Sequence, residues 1–267
     1  MRLFKIIMVL LLAAAHLPAA ELSTEAEVDW TRLSSSGLGL GLSALVELQL
    51  KEHLVPESAR WTEPGKLDRK IRQLLRWSPH RLEQADHFSD YTMLGAVAFG
   101  LGIVPLASEA DWEPVLSAQL QGLALTSLTT NLIKILSARQ RPYAYFRTLP
   151  TDHARDRTSF CSGHTSLTTA AMVMSATLLT ETGTRARLGG LLGAGFYGLG
   201  TGALRIAGDQ HYFTDVVCGA ILGGTIGYLV ANRIEISQNE NTYSLDRTLP
   251  LVTVRFPIEI LTGMTDL

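Results

Sequence analysis

Five successive stretches of the chain, Tyr91–Ala107, Pro114–Ile133, His164–Thr180, Leu188–Leu204 and Val216–Ala231, contain no Asp, Glu, Lys or Arg. A helix on the surface of a soluble protein needs charge on its outward face. Unbroken neutrality in five segments therefore restricts them to helices that are buried or lie in lipid. Spanning a bilayer takes about 20 mostly apolar residues, with roughly 17 as the lower bound, and these segments sit near that bound. Their Gly, Ser and Thr content suits close helix packing in a membrane, and equally the buried helices of a soluble bundle. The membrane reading accounts for all five at once. The expected fold is all-α: a helical bundle with several membrane-spanning helices and a short β-like C-terminal tail.

Composition points the same way. Of 267 residues, 46% are hydrophobic and 18% charged, with a mean hydropathy of +0.17; a soluble domain usually carries about 25% charged residues. The net charge of -2 offers no basic field, so nucleic acid is not an expected partner. Cys161 and Cys218 lack metal-ligand spacing and are too few for a disulfide scaffold; they are read as free thiols.

At the N-terminus, Arg2 and Lys5 precede an apolar run from Ile6 to Ala15, and small residues follow at Ala19 and Ala20. This describes a secretory signal over residues 1–20. Either cleavage point is imperfect, with Pro18 or Leu17 at the minus-three position, and an uncleaved anchor is the alternative. Residues 21–90 read as an N-terminal extracytoplasmic region, 91–231 as the core bundle and 232–267 as a tail. Within the first of these, Lys66 to Trp77 has the period of an amphipathic helix, with Leu67, Ile71, Leu74 and Leu75 on one face. Gly37 to Leu48 is apolar but glycine-rich, and its sequence alone does not place it. In the tail, Val252, Val254, Phe256, Ile258 and Ile260 alternate with the period of a strand, which Pro257 limits to a sheet edge.

Three short clusters carry the chemistry. The first runs from Lys134 to Arg141-Pro142, directly after a neutral segment. The second, Ser162-Gly163-His164, opens the next one. The third joins Arg205 to His211 and Asp215 between the last two segments. In an up-and-down bundle these helix ends fall at the same end, so the seven polar side chains can converge. Arginine forks match tetrahedral oxyanions and lysine adds a point charge. A helix N-terminus offers free N–H groups to an anion. Two histidines can supply a nucleophile and a proton donor. Asp215, four residues after His211, can hold one imidazole nitrogen and leave the other free.

The arrangement resembles the type 2 phosphatidic acid phosphatase superfamily, which includes lipid phosphate phosphatases, bacterial class A acid phosphatases, glucose-6-phosphatase and the vanadium haloperoxidases. Its pattern is Lys, six residues, Arg-Pro; then Pro-Ser-Gly-His; then Ser-Arg, five residues, His, three residues, Asp. The spacings here match over residues 91–231, with two departures: Cys161 stands for the proline and Leu204 for the serine. Neither carries the essential charge or proton, so the resemblance implies altered turnover or specificity rather than a dead site.

That resemblance implies a phosphoric monoester hydrolase. His211 would attack phosphorus, Asp215 would orient it, and His164 would protonate the leaving oxygen and then activate water. Lys134, Arg141, Ser162, Gly163 and Arg205 would hold the phosphoryl oxygens. No metal or other cofactor is required by this scheme. Arg139 and Arg147 read as solvated loop charges, Asp209 as a loop residue and His87 as a surface residue; His153, Arg155 and Arg157 could touch a headgroup. The neutral helices bordering the site favour a membrane-lipid phosphate as substrate. A soluble periplasmic acid phosphatase of broad specificity is the alternative; a haloperoxidase or a non-catalytic membrane protein ranks lower. With residue 21 exported, the site would face the periplasm at the cytoplasmic (inner) membrane, and Arg185 and Arg187 would lie inside. The particular ester and the oligomeric state are not readable from the sequence.

Overall fold

The computed structural model describes residues 28–108, 112–151, 154–180 and 183–240, with side chains in the last helix up to Arg233. The signal-like segment and the alternating tail lie outside the described residues. All regular structure among the described residues is helical, and the pairing of Trp61 with Arg139 is an isolated bridge.

The glycine-rich stretch near the N-terminus forms a helix. α1 runs over Trp30–Leu45 and continues through a π turn, Val46–Leu50, into Lys51–Leu54. Asp29 caps it by accepting the Arg32 amide at 2.9 Å. Its buried face is small and polar, which is why hydrophobic period alone misses it. Ser36 and Ser43 are buried, Gln121 donates to Ser36 at 2.9 Å, and Gly39 faces Ala124.

α2 is Lys66–Leu75. α3, Leu82–Ala98, continues through a π turn at Phe99–Ile103 into Val104–Ala107. Pro105 lies just beyond that turn; lacking an N–H, it cannot extend an unbroken α ladder. α4 is Trp112–Ser137, α5 the short Pro142–Phe146, α6 Gly163–Leu178, α7 Arg185–Ala207 and α8 Phe213–Glu240. Proline opens α5, where a missing N–H costs nothing. Ser162 and Thr184 cap α6 and α7 through their hydroxyls.

α6 is the central helix, packed against α8, α7, α4 and α3. The approach of α8 is set by Gly219, Gly223 and Gly227, which recur every four residues on one face. A Cβ at these positions would come within 2.6 Å of the Ser162 carbonyl, 2.0 Å of that of Ser166 and 2.7 Å of that of Ala170. The helices therefore touch backbone to backbone, as small residues permit in membrane bundles.

The distribution of polarity is inverted relative to a soluble bundle. Ser117, Gln119, Thr126, Thr130, Asn131, Thr165, Thr168 and Ser175 are buried between helices, while Leu94, Leu106, Leu192, Phe196 and Ile221 stand on the outside. Two stretches, Pro79–Ala107 and Phe213–Arg233, are long and apolar enough to cross a membrane by length and composition. In α4, α6 and α7 the expected spans are diluted by Gly, Ser and Thr.

The C-terminal ends of α1, α4 and α7 and the N-terminal ends of α3, α6 and α8 gather at one end of the bundle. The start of α1 lies at the other, where Arg32 approaches Glu113 at 3.8 Å. Residues 28–90 thus traverse the bundle once.

Candidate active site

The gathered ends surround a cavity of about 470 Å³. Lys134, from the last turn of α4, Arg141, capping α5, Gly163 and His164 at the start of α6, Arg205, from the last turn of α7, and His211 in the following turn all line it. α1 closes one side with Glu47, Leu48 and Lys51, and Met93 and Leu167 add apolar wall. Arg155 lines the cavity as well. Lys134 reaches the turn of the second cluster closely: a Cβ on Gly163 would come within 2.9 Å of its Nζ.

Ser162 and Asp215 stand behind the cavity wall. Ser162 is fully buried, and its hydroxyl accepts the Thr165 hydroxyl at 2.9 Å. The Asp215 carboxylate faces His211 Nδ1 at 3.6 Å, longer than a hydrogen bond. Its Oδ2 accepts the Ser159 hydroxyl at 2.6 Å and the Tyr212 amide at 2.8 Å. Burial, together with the Arg141, Arg205 and Lys134 charges, holds the His211 imidazole well below its usual pKa. A neutral ring is the form that can act as a nucleophile.

Arg139 is not a solvated loop charge. It is 1% exposed, donates to Asp215 at 2.5 Å and to Asp68 at 2.6 Å, and is sandwiched between Trp61 and Tyr212, 3.8 and 4.4 Å from their ring centroids. Two carboxylates and two aromatic faces outweigh hydration of this loop arginine. Asp209 lies in a loop but is fully buried, held bidentately by Arg72 at 2.6 and 2.7 Å and by Arg76 at 3.2 Å. The segment carrying Trp61, Asp68 and Arg72 thus braces the motif loops from behind. Arg147 and His87 are exposed, as expected.

Two further carboxylates come from α3. Asp86 accepts from Arg205, which also donates to Ser89 at 3.0 Å. Asp90 lies 2.6 Å from His164 Nε2. Arg141 is held by Gln210 at 2.9 Å and by Thr158. Arg157 is committed to the Pro56 carbonyl at 2.6 Å, and His153 lies outside the described residues. Cys161, buried next to Ser162, and Cys218 are free thiols.

A neutral imidazole thus sits among a buried lysine and arginines, with a second imidazole held by its own carboxylate, at one end of a helical bundle. Residues 116–237, from α4 into α8, match the family model of the PAP2 superfamily. A match to this superfamily implies phosphatase activity in general and phosphate esters as substrates. No curated protein and no solved structure matches the chain.

Proposed function

We propose that the chain hydrolyses a phosphomonoester or diphosphate of a membrane lipid through a phosphohistidine on His211. The observation that carries this reading is the cavity itself: the cationic cluster of Lys134, Arg141 and Arg205 meets an apolar wall of Leu48, Met93 and Leu167, within a bundle that exposes many large apolar side chains.

In this reading the His211 Nε2 lone pair attacks phosphorus while Nδ1–H faces Asp215. The P–O bond to the lipid breaks, and His164 gives its proton to the departing oxygen. Water then attacks the phosphohistidine, His164 takes a proton from it, the P–N bond breaks and phosphate leaves. Lys134, Arg141 and Arg205 hold the oxygens as charge redistributes. Asp215, itself fixed by Arg139 and Ser159, keeps the ring oriented.

A substrate panel tests the reading. Purified protein in mixed micelles is expected to show at least about ten-fold higher kcat/KM on lipid phosphates than on short-chain water-soluble phosphate esters; binding of the lipid's apolar portion would supply that margin. Equal values on both classes would point to a broad-specificity soluble-type acid phosphatase instead.

Location is the second part of the proposal: a cytoplasmic-membrane protein with its site facing the periplasm. Because α1 runs toward the site end, a spanning α1 then requires Asp29 on the cytoplasmic side. A translocated residue 21 with a spanning α1 would place the site inside. An alkaline-phosphatase reporter fused after residue 150 is expected to be active, and one fused after Arg187 inactive. The reverse pattern would put the site in the cytoplasm, and activity at both points would indicate an exported soluble enzyme.

A further inference from the structure

α2 is turned the wrong way round for an ordinary amphipathic helix. Its buried side carries the charged pair Asp68 and Arg72, which brace Arg139 and Asp209. Its leucines face outward: Leu67 is 51% exposed, Leu74 70% and Leu75 41%. By helical period Lys66, Lys70 and Gln73 share a third face, roughly 90° round from Leu67 and Leu74, also exposed. An exposed leucine face flanked by a basic one suits a helix lying in a membrane interface.

Continuity with the neighbouring surface supports that occupant. Just beyond α2, Trp77 packs edge-on against Phe88 at 6.2 Å, with Arg81 over its ring at 4.7 Å. Phe88 and Tyr91 are exposed at the same end of α3, and Leu94 follows one turn further along. Aromatic rings of this kind collect at the headgroup level, with apolar side chains below them. We infer that α2 lies in the membrane interface, its leucine face against acyl chains and its lysines toward anionic headgroups, so that bilayer contact and the brace behind the catalytic loops reside in one helix. This rests on the membrane reading above.

The test uses the full chain in nanodiscs of phosphatidylcholine and phosphatidylglycerol. A Cys218→Ala background is used, since Cys161 is buried. An environment-sensitive bimane is placed singly at Leu74→Cys, Gln73→Cys and Leu192→Cys. A nitroxide near the top of the acyl chain is expected to quench the Leu74 label at least two-fold more than the Gln73 label. A water-like, unquenched Leu74 label beside a quenched Leu192 label would overturn the interfacial helix while leaving the membrane reading intact. Absence of quenching at all three would overturn both.

A second inference stands on the Asp90–His164 contact. We propose that Asp90 is a positioning residue: by accepting Nε2–H at 2.6 Å it orients the ring and stabilises its imidazolium form, so that Nδ1–H is the proton given to the leaving oxygen. This rests on His164 as the leaving-group acid. An acid matters most for a poor leaving group, such as an alkoxide, and least for nitrophenolate. In single-turnover measurements of the first step, Asp90→Ala is expected to lose at least about ten-fold more on an alkyl phosphate than on p-nitrophenyl phosphate. Asp90→Asn, which keeps an acceptor without the charge, should fall between Asp90→Ala and wild type, and both should be judged on protein that elutes and melts like wild type. In a His164→Ala background, Asp90→Ala should cost nothing further. Equal losses on the two esters, or the full loss repeated without His164, would overturn the role. If His164→Ala itself loses equally on both esters, the acid assignment fails and Asp90's role falls with it.

Discussion

His211→Ala is expected to lower phosphate release by at least about a thousand-fold, because the side chain that carries the covalent bond cannot be replaced by water in the same pocket. The ring is 1% exposed and shares its cavity with Lys134, Arg141 and Arg205. Binding should survive better than turnover: Lys134, Arg141 and Arg205 remain, so the affinity for inorganic phosphate is expected to change by less than about ten-fold. Stability should change little, since Nδ1 makes no hydrogen bond that the fold would lose. Rates within ten-fold of wild type would remove His211 from the chemistry.

Arg139→Met is expected to give the largest loss of stability among single changes near the site, about 3–5 kcal/mol by denaturant unfolding in detergent. Arg139 joins two carboxylates, Asp68 and Asp215, that are 2% and 0% exposed. Methionine roughly fills the space but leaves both charges buried and unpaired. Activity should fall as well, because Asp215 loses the partner that fixes it behind His211. Adding Asp68→Asn to Arg139→Met removes one of the two orphaned charges and should restore part of the loss, a coupling that a double-mutant cycle reads directly. A single variant within about 0.5 kcal/mol of wild type would mean that the network does not hold the loops.

The motif residues were legible because their chemistry and spacing sit on the ends of neutral segments, and an up-and-down bundle brings those ends together. Lys134, Arg141, Gly163, His164, Arg205 and His211 line one cavity for that reason. The groups that hold them were harder to find. Asp68 and Arg72 sit in a helix whose leucines suggested an inward apolar face, and only the opposite side reaches the core. Their spacing of four residues, away from the leucines, was the available signal. Asp86 and Asp90 also lie four apart, immediately before the neutral run that starts at Tyr91, a position that puts both carboxylates at the motif end of the bundle. α1 was hidden by its own packing, since Ser36, Gly39 and Ser43 form its inner face and hydrophobicity lies outside. Arg139 was misread because loop arginines are usually solvated, and nothing in the local sequence announces the Asp68, Asp215, Trp61 and Tyr212 partners that come from elsewhere in the chain.

The most direct test is to stop the reaction of wild-type protein with phosphorus-labelled lipid phosphate within milliseconds, at alkaline pH where phosphohistidine survives, and to map the label by peptide mass. The account predicts phosphate on His211, chased away on a timescale matching turnover. Label on any other residue, or full turnover with no labelled enzyme at any time point, would contradict it.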